Sequence, residues 1–158
     1  MKKNVNLIFT SAFAKKIYNH ELKHETEGSA GYDLRAFDLN DSNKKITIPP
    51  KSKMIIGTGI KIHLNNNKYV GKVYSRSSLG SKKGLILANS VGIIDSDYQG
   101  EIMLCLQNLT DSEVLIEPGE RVAQLLIEKV NHVKFNVVES FDLETNRGEG
   151  GFGSTNKK

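Results

Sequence analysis

Five short stretches of this 158-residue chain carry side chains able to handle a phosphorylated ligand. Gly92-Ile93-Ile94-Asp95-Ser96-Asp97-Tyr98-Gln99-Gly100 runs an apolar strand into two acids, a tyrosine and a glycine turn. Asp95, directly after two isoleucines, suits a general base, because a fixed carboxylate can be tuned to hold a water. An Asx-turn in which Asp95 or Asp97 bonds its own backbone fits the same residues. Ser75-Arg76-Ser77-Ser78-Leu79-Gly80 sets one arginine among three hydroxyls. Arg76 could grip a phosphate through two parallel N–H bonds, and Ser77 or Ser78 with backbone N–H groups could complete an anion nest. A plain serine-rich turn is the competing description.

Two further stretches and the C-terminus add to these. Gln124, in Gly119-Glu120-Arg121-Val122-Ala123-Gln124, sits among apolar neighbours and needs a partner: a ligand phosphate, an ordered water or a backbone group. Ala30-Gly31-Tyr32-Asp33-Leu34-Arg35-Ala36 puts Asp33 and Arg35 on one strand face, and Asp33 suits an ion pair with an arginine. Residues 147–158 read Arg-Gly-Glu-Gly-Gly-Phe-Gly-Ser-Thr-Asn-Lys-Lys. Glycines of this density oppose regular structure. The segment nonetheless offers an arginine fork, two hydroxyls and one ring able to stack on a base. A frayed terminus is the alternative.

The elements that must position these residues read as short strands between turn signals. Apolar or alternating runs fall at residues 5–9, 32–37, 45–48, 60–64, 69–74, 85–87, 93–94, 101–106, 114–116, 122–130 and 135–138. Residues 77–84 could hold one short helical turn, and residues 14–27 read as a polar surface loop. No segment sustains a long helical period, which predicts an all-β sandwich, jelly roll or barrel with at most one short helix.

Composition bounds the rest. Hydrophobic residues make up 38% and charged residues 25%, as expected of one globular domain. A net charge of +4 suits an anionic ligand, while lysines scattered rather than striped argue against nucleic acid. The single cysteine, Cys105, excludes an internal disulfide and a multi-cysteine metal site and points to a reducing, cytoplasmic setting. No apolar run reaches the roughly 18 residues of a membrane span. His20 and His24 lie in a polar stretch that reads as solvated surface.

Taken in order, the five stretches resemble the five motifs of the trimeric deoxyuridine triphosphatase (dUTPase) family: Ala30 to Leu34, Ser75 to Gly80, Asn89 to Gly100, Pro118 to Gln124, and Arg147 to Thr155. Each is weak alone; together, in this order and at this spacing, they are specific. The resemblance implies a jelly-roll-like β domain over residues 1–146 and a mobile glycine-rich lid over residues 147–158. It implies hydrolysis of dUTP to dUMP and pyrophosphate, which limits uracil in DNA and supplies dUMP for thymidylate synthesis. Asp95 matches the carboxylate that activates water for in-line attack on the α-phosphorus. Arg76, Ser77, Ser78 and Gln124 match phosphate contacts. Asn89 matches a reader of the uracil edge, and Tyr98 the ring under the deoxyribose. Arg147, Gly153, Ser154 and Thr155 match the part of the tail that takes the γ-phosphate, and Phe152 the ring that covers uracil. Asp33 matches a structural position orienting Arg76 or ordered water. Mg2+ would be held mainly by phosphates and waters, and the assembly would be a homotrimer whose sites are shared between subunits.

One residue departs from the family pattern: Ser78 stands where many members have glycine, and Arg-Ser-Ser also occurs in the related dCTP deaminases. Deaminases place a glutamate on the strand after the hairpin, and the matching position here is Cys105, a poor substitute for a carboxylate. A non-catalytic nucleotide-binding module is the other alternative, set against the presence of Asp95, Arg76, Gln124, Arg147 and Phe152 together.

Overall fold

Strand alternation decides which side chains turn inward, and in this chain it does so on two facing sheets. The computed structural model describes residues 4–152. Its strands are β1 (Asn6–Phe9), β2 (Tyr32–Arg35), β3 (Ile46–Ile48), β4 (Lys53–His63), β5 (Tyr69–Ser75), β6 (Leu85–Leu87), β7 (Gly92–Ile94), β8 (Glu101–Asn108), β9 (Val114–Ile116) and β10 (Arg121–Lys129). One antiparallel sheet has the order β1-β4-β8-β6, a second β2-β10-β5-β7, and β3 pairs with β9 as a small third. In β8, Ile102, Leu104, Leu106 and Asn108 point inward while Glu101, Met103, Cys105 and Gln107 point out. Leu34, Val73 and Leu125 from the second sheet meet Ile56, Ile60, Ile102, Leu104 and Leu106 from the first in one core. Truncating any of the fully buried leucines or isoleucines to alanine should cost about 2–5 kcal/mol. The architecture is a jelly-roll-like sandwich, in agreement with the all-β expectation.

Two polar residues are buried in that core. Asn108 is fully buried, and its amide nitrogen donates to the carbonyls of Ile48, Pro49 and Ser112 while its oxygen accepts from Thr110. Thr58 donates to Ile102 O at 2.6 Å, at a bulge where the β4–β8 register shifts between Gly57 and Lys61. Both are satisfied, so neither carries the penalty of an orphaned buried group.

Three features differ from the sequence reading. The described residues form two short helices rather than at most one: α1 (Ala12–Ile17) and α2 (Ser77–Lys83). α1 begins the stretch read as a polar loop. Ser11 caps it by accepting Ala14 N–H at 3.0 Å. Ala14 and Tyr18, four residues apart, are both buried, and Phe13 and Ile17 pack beside them, so one apolar face holds the helix to the core. β4 also begins at Lys53 rather than near residue 60, because Gly57 and Gly59 interrupt the alternation that signals a strand. Finally, residues 135–138 form no strand. Phe135 is 87% and Val137 101% exposed, and no described strand of the chain pairs with the segment. Alternation made it competent for a sheet, but a strand needs a ladder partner.

Candidate active site

β5 stops at Ser75, and the chain turns at Arg76 into α2. Arg76 donates its N–H to Val122 O at 3.2 Å and accepts Leu79 N–H at 3.0 Å, which fixes its backbone against β10. Its guanidinium then reaches across the sheet, with Nη1 3.1 Å from Asp33 Oδ2. The strand order supplies the geometry: β10 lies between β2 and β5, and Gln124 pairs with Asp33 on one side and Tyr74 on the other. The same Asp33 oxygen accepts Arg121 Nη1 at 3.2 Å, and that Nη1 lies 3.1 Å from Glu25 Oε2. Glu25, Arg121, Asp33 and Arg76 thus form a row of alternating charge. Asp33 is the most shielded member, with its side chain 15% exposed and a guanidinium on either side.

Arg35 shares a strand with Asp33 but serves elsewhere. Its Nη1 donates to Gly119 O at 2.9 Å and its guanidinium lies over the Tyr18 ring at 5.8 Å. Gly119 has φ +76°, and a Cβ there would collide with Ile17 of α1, so the turn before β10 requires glycine on both counts.

The remaining phosphate candidates cluster near Arg76. Ser77 is exposed and Ser78 half-buried in the first turn of α2, where backbone N–H groups have no partners within the helix. Gln124 Nε2 reaches Ser75 O only at 3.5 Å, a stretched contact that a better acceptor would displace. Gly84, with φ +63°, ends α2 as a left-handed cap and returns the chain into β6.

The hairpin residues lie apart from that corner. β7 pairs with β5 through Gly71–Ile94 and Val73–Gly92, so exposed Asp95 follows at the level of Val70. Tyr98 N–H donates to Asp95 O at 3.2 Å, and the Tyr98 hydroxyl donates to Glu101 O at 2.9 Å. Exposed Asn89 accepts Val91 N–H at 2.7 Å through its carbonyl and holds its amide nitrogen over Gly92. From Val70 to Arg76, at about 3.3 Å per residue, the hairpin and the arginine corner are roughly 20 Å apart. The chain therefore brings Asp33, Arg76, Ser77, Ser78 and Gln124 to one end of β5 and Asp95 and Tyr98 to the other, while Asn89, between Leu87 beside Ser75 and Gly92 beside Val73, lies toward the Arg76 end.

The described part of the tail, up to Phe152, contributes to neither group within this chain. Arg147 Nε folds back on Gly150 O at 2.9 Å, and Phe152 is fully exposed. Gly153, Ser154 and Thr155 lie outside the described residues. Among the described residues no three His, Cys, Asp or Glu side chains converge as a metal site, and no helix is long and apolar enough to cross a membrane. Sequence reasoning did not single out Arg121, Glu25 or Glu101. Arg121 lay inside a motif already quoted, whereas nothing in the spacing joins Glu25 to Asp33.

Fold and site define an all-β protein with an arginine–hydroxyl corner and a carboxylate hairpin on one sheet. The chain belongs to the dUTPase family, whose sequence model matches residues 18–156. It is 44% identical over 135 residues to the deoxyuridine 5'-triphosphate nucleotidohydrolase of Idiomarina loihiensis, covering 85% of this chain and 86% of that one. It is 46% identical over 134 residues to the protein of the same name from Herminiimonas arsenicoxydans, covering 85% and 87%. Among solved structures it resembles the dUTPase of Staphylococcus bacteriophage 80alpha with dUPNHPP, with TM-score 0.82, 25% identity and coverage of 97% and 98%. A variant of the dUTPase from phage phi11 of S. aureus, described with a structural Mg(II) ion, shares the fold at TM-score 0.75 and 20% identity, with coverage of 89% and 100%.

Proposed function

We propose that this protein hydrolyses dUTP to dUMP and pyrophosphate. The observation that carries the reading is the division of family motifs along β5. Arg76 with its hydroxyls and Gln124 stands at one end, and Asp95 with Tyr98 at the other. One chain leaves these half-sites roughly 20 Å apart by strand rise. A second copy, presenting its Asp95 hairpin to the first copy's Arg76 corner, completes a site. The exposed Val133, Phe135, Val137, Phe141 and Leu143 supply apolar surface for such contacts, and a homotrimer closes them by symmetry.

In that site Asp95 takes a proton from the water that attacks the α-phosphorus in line. Negative charge grows on the departing pyrophosphate, where Arg76, Ser77, Ser78 and Gln124 donate hydrogen bonds to it. Asn89 reads the uracil edge and the Tyr98 ring floors the sugar. Residues 147–158 act as a lid on the domain of residues 1–146: Arg147, Gly153, Ser154 and Thr155 take the γ-phosphate and Phe152 covers the base. Mg2+ would be held mainly through substrate phosphates and waters, as suits a site in which no three carboxylates converge among the described residues, and would offset the phosphate charge. A free Cys105 thiol is compatible with a reducing, cytoplasmic setting.

The test is pyrophosphate release with dUTP, dCTP, dTTP and UTP side by side, with and without Mg2+. Release from dUTP alone, dependent on Mg2+, supports the reading. Ammonia release from dCTP would replace it with deamination.

A further inference from the structure

Gly100 ends the Asp95 hairpin, yet it does not have the left-handed φ that usually calls for glycine. The described glycines with positive φ are Gly59, Gly84, Gly119 and Gly148, and Gly100 is not among them. The space its missing Cβ leaves is filled by Tyr98. A Cβ on Gly100 would overlap the Tyr98 hydroxyl and Cζ and stand 3.0 Å from Cε2. The ring is folded back over the main chain, with its hydroxyl on Glu101 O at 2.9 Å. Glu101 is itself anchored, because its Oε1 accepts Gly59 N–H at 2.8 Å from the bulge in β4. Tyr98 N–H closes the loop on Asp95 O.

We infer that Gly100 is a specificity-determining residue that acts through Tyr98: its bare Cα seats the ring against the hairpin, and that pose sets discrimination between deoxyribose and ribose. The inference rests on the dUTP reading above. A 2′-hydroxyl adds one oxygen to the sugar, so a floor that excludes it must hold position to about 0.5 Å. A methyl group at residue 100 pushes the ring off Glu101, and ribose then fits.

The experiment compares kcat/KM for dUTP and UTP in the wild type, Gly100→Ala, Tyr98→Phe, Tyr98→Ala and the double variant Gly100→Ala/Tyr98→Ala, with thermal unfolding of each. The dUTP:UTP ratio should fall about tenfold or more in Gly100→Ala, a loss of about 1.4 kcal/mol in discrimination. It should fall in the same direction in Tyr98→Phe, which keeps the ring and removes the tether. On the Tyr98→Ala background, adding Gly100→Ala should change nothing further, since the clashing partner is gone. If Gly100→Ala fails to fold while the double variant folds, the clash with the ring is established and Tyr98→Phe decides: a fallen dUTP:UTP ratio supports the inference and an unchanged one overturns it. If both fail to fold, Gly100 serves the hairpin itself and the inference is wrong. An unchanged dUTP:UTP ratio in a folded Gly100→Ala protein overturns it while leaving dUTP hydrolysis intact. A wild type that does not hydrolyse dUTP removes both.

Discussion

Asp33 and Arg76 meet at 3.1 Å across an intervening strand, and the same Asp33 oxygen also takes Arg121 at 3.2 Å. Two guanidiniums on one shielded carboxylate give the arginine a defined resting direction before any phosphate arrives. They also make the aspartate a point of mechanical dependence for β2, β10 and the start of α2.

Replacing Asp33 with asparagine leaves two cations facing a neutral amide. The expected cost is about 1–3 kcal/mol of stability, read as a lower urea midpoint. With Arg76 loosened, KM for dUTP should rise. An unchanged midpoint and KM would show that the pair contributes nothing beyond a surface contact.

Asp95→Asn should bind dUTP and lose turnover by about 10²–10⁴-fold, the range a positioned general base provides. Calorimetric binding and pyrophosphate release on the same preparation check it. Near-normal turnover would reassign the base.

Deleting residues 147–158 should leave the unfolding transition close to that of the full chain, because the described part of the segment is exposed and bonds to its own turn. Pyrophosphate release should drop steeply. Loss of the folded transition would make the segment structural rather than a lid.

Burial raises the Tyr18 phenol well above the ordinary tyrosine range, and its hydroxyl is held between Thr58 O and Arg35 N–H. With the folded-state value raised, the contribution is fully present below about pH 10, where unfolded tyrosine begins to ionise. Above that pH the unfolded state loses its proton first, so stability should fall by about 1.4 kcal/mol per pH unit. Unfolding measured from pH 8 to 11 should show this slope, and Tyr18→Phe should remove it at some cost in hydrogen bonds.

Much of the molecule was legible in the chain because its strands face one way. Residues 85–87 and 114–116 read as strands and are β6 and β9, and α2 fell where Ser77 to Lys83 break the alternation. α1 was not legible, since its apolar face of Phe13, Ala14, Ile17 and Tyr18 spans less than two turns, too short a run to establish a helical period. Residues 135–138 misled in the opposite sense: alternation reports competence for a sheet, not the presence of a partner.

The sequence by itself determined the all-β class, the motif residues and their order, because side-chain type and period-two spacing are local properties. Tertiary structure alone decided which of those residues meet. Strand order placed Asp33 beside Arg76 although 43 positions separate them, recruited Arg121 and Glu25 to the same row, and sent Asp95 to the far end of β5. Contacts of that kind depend on which strands pair and in what register, and a local pattern carries no record of either.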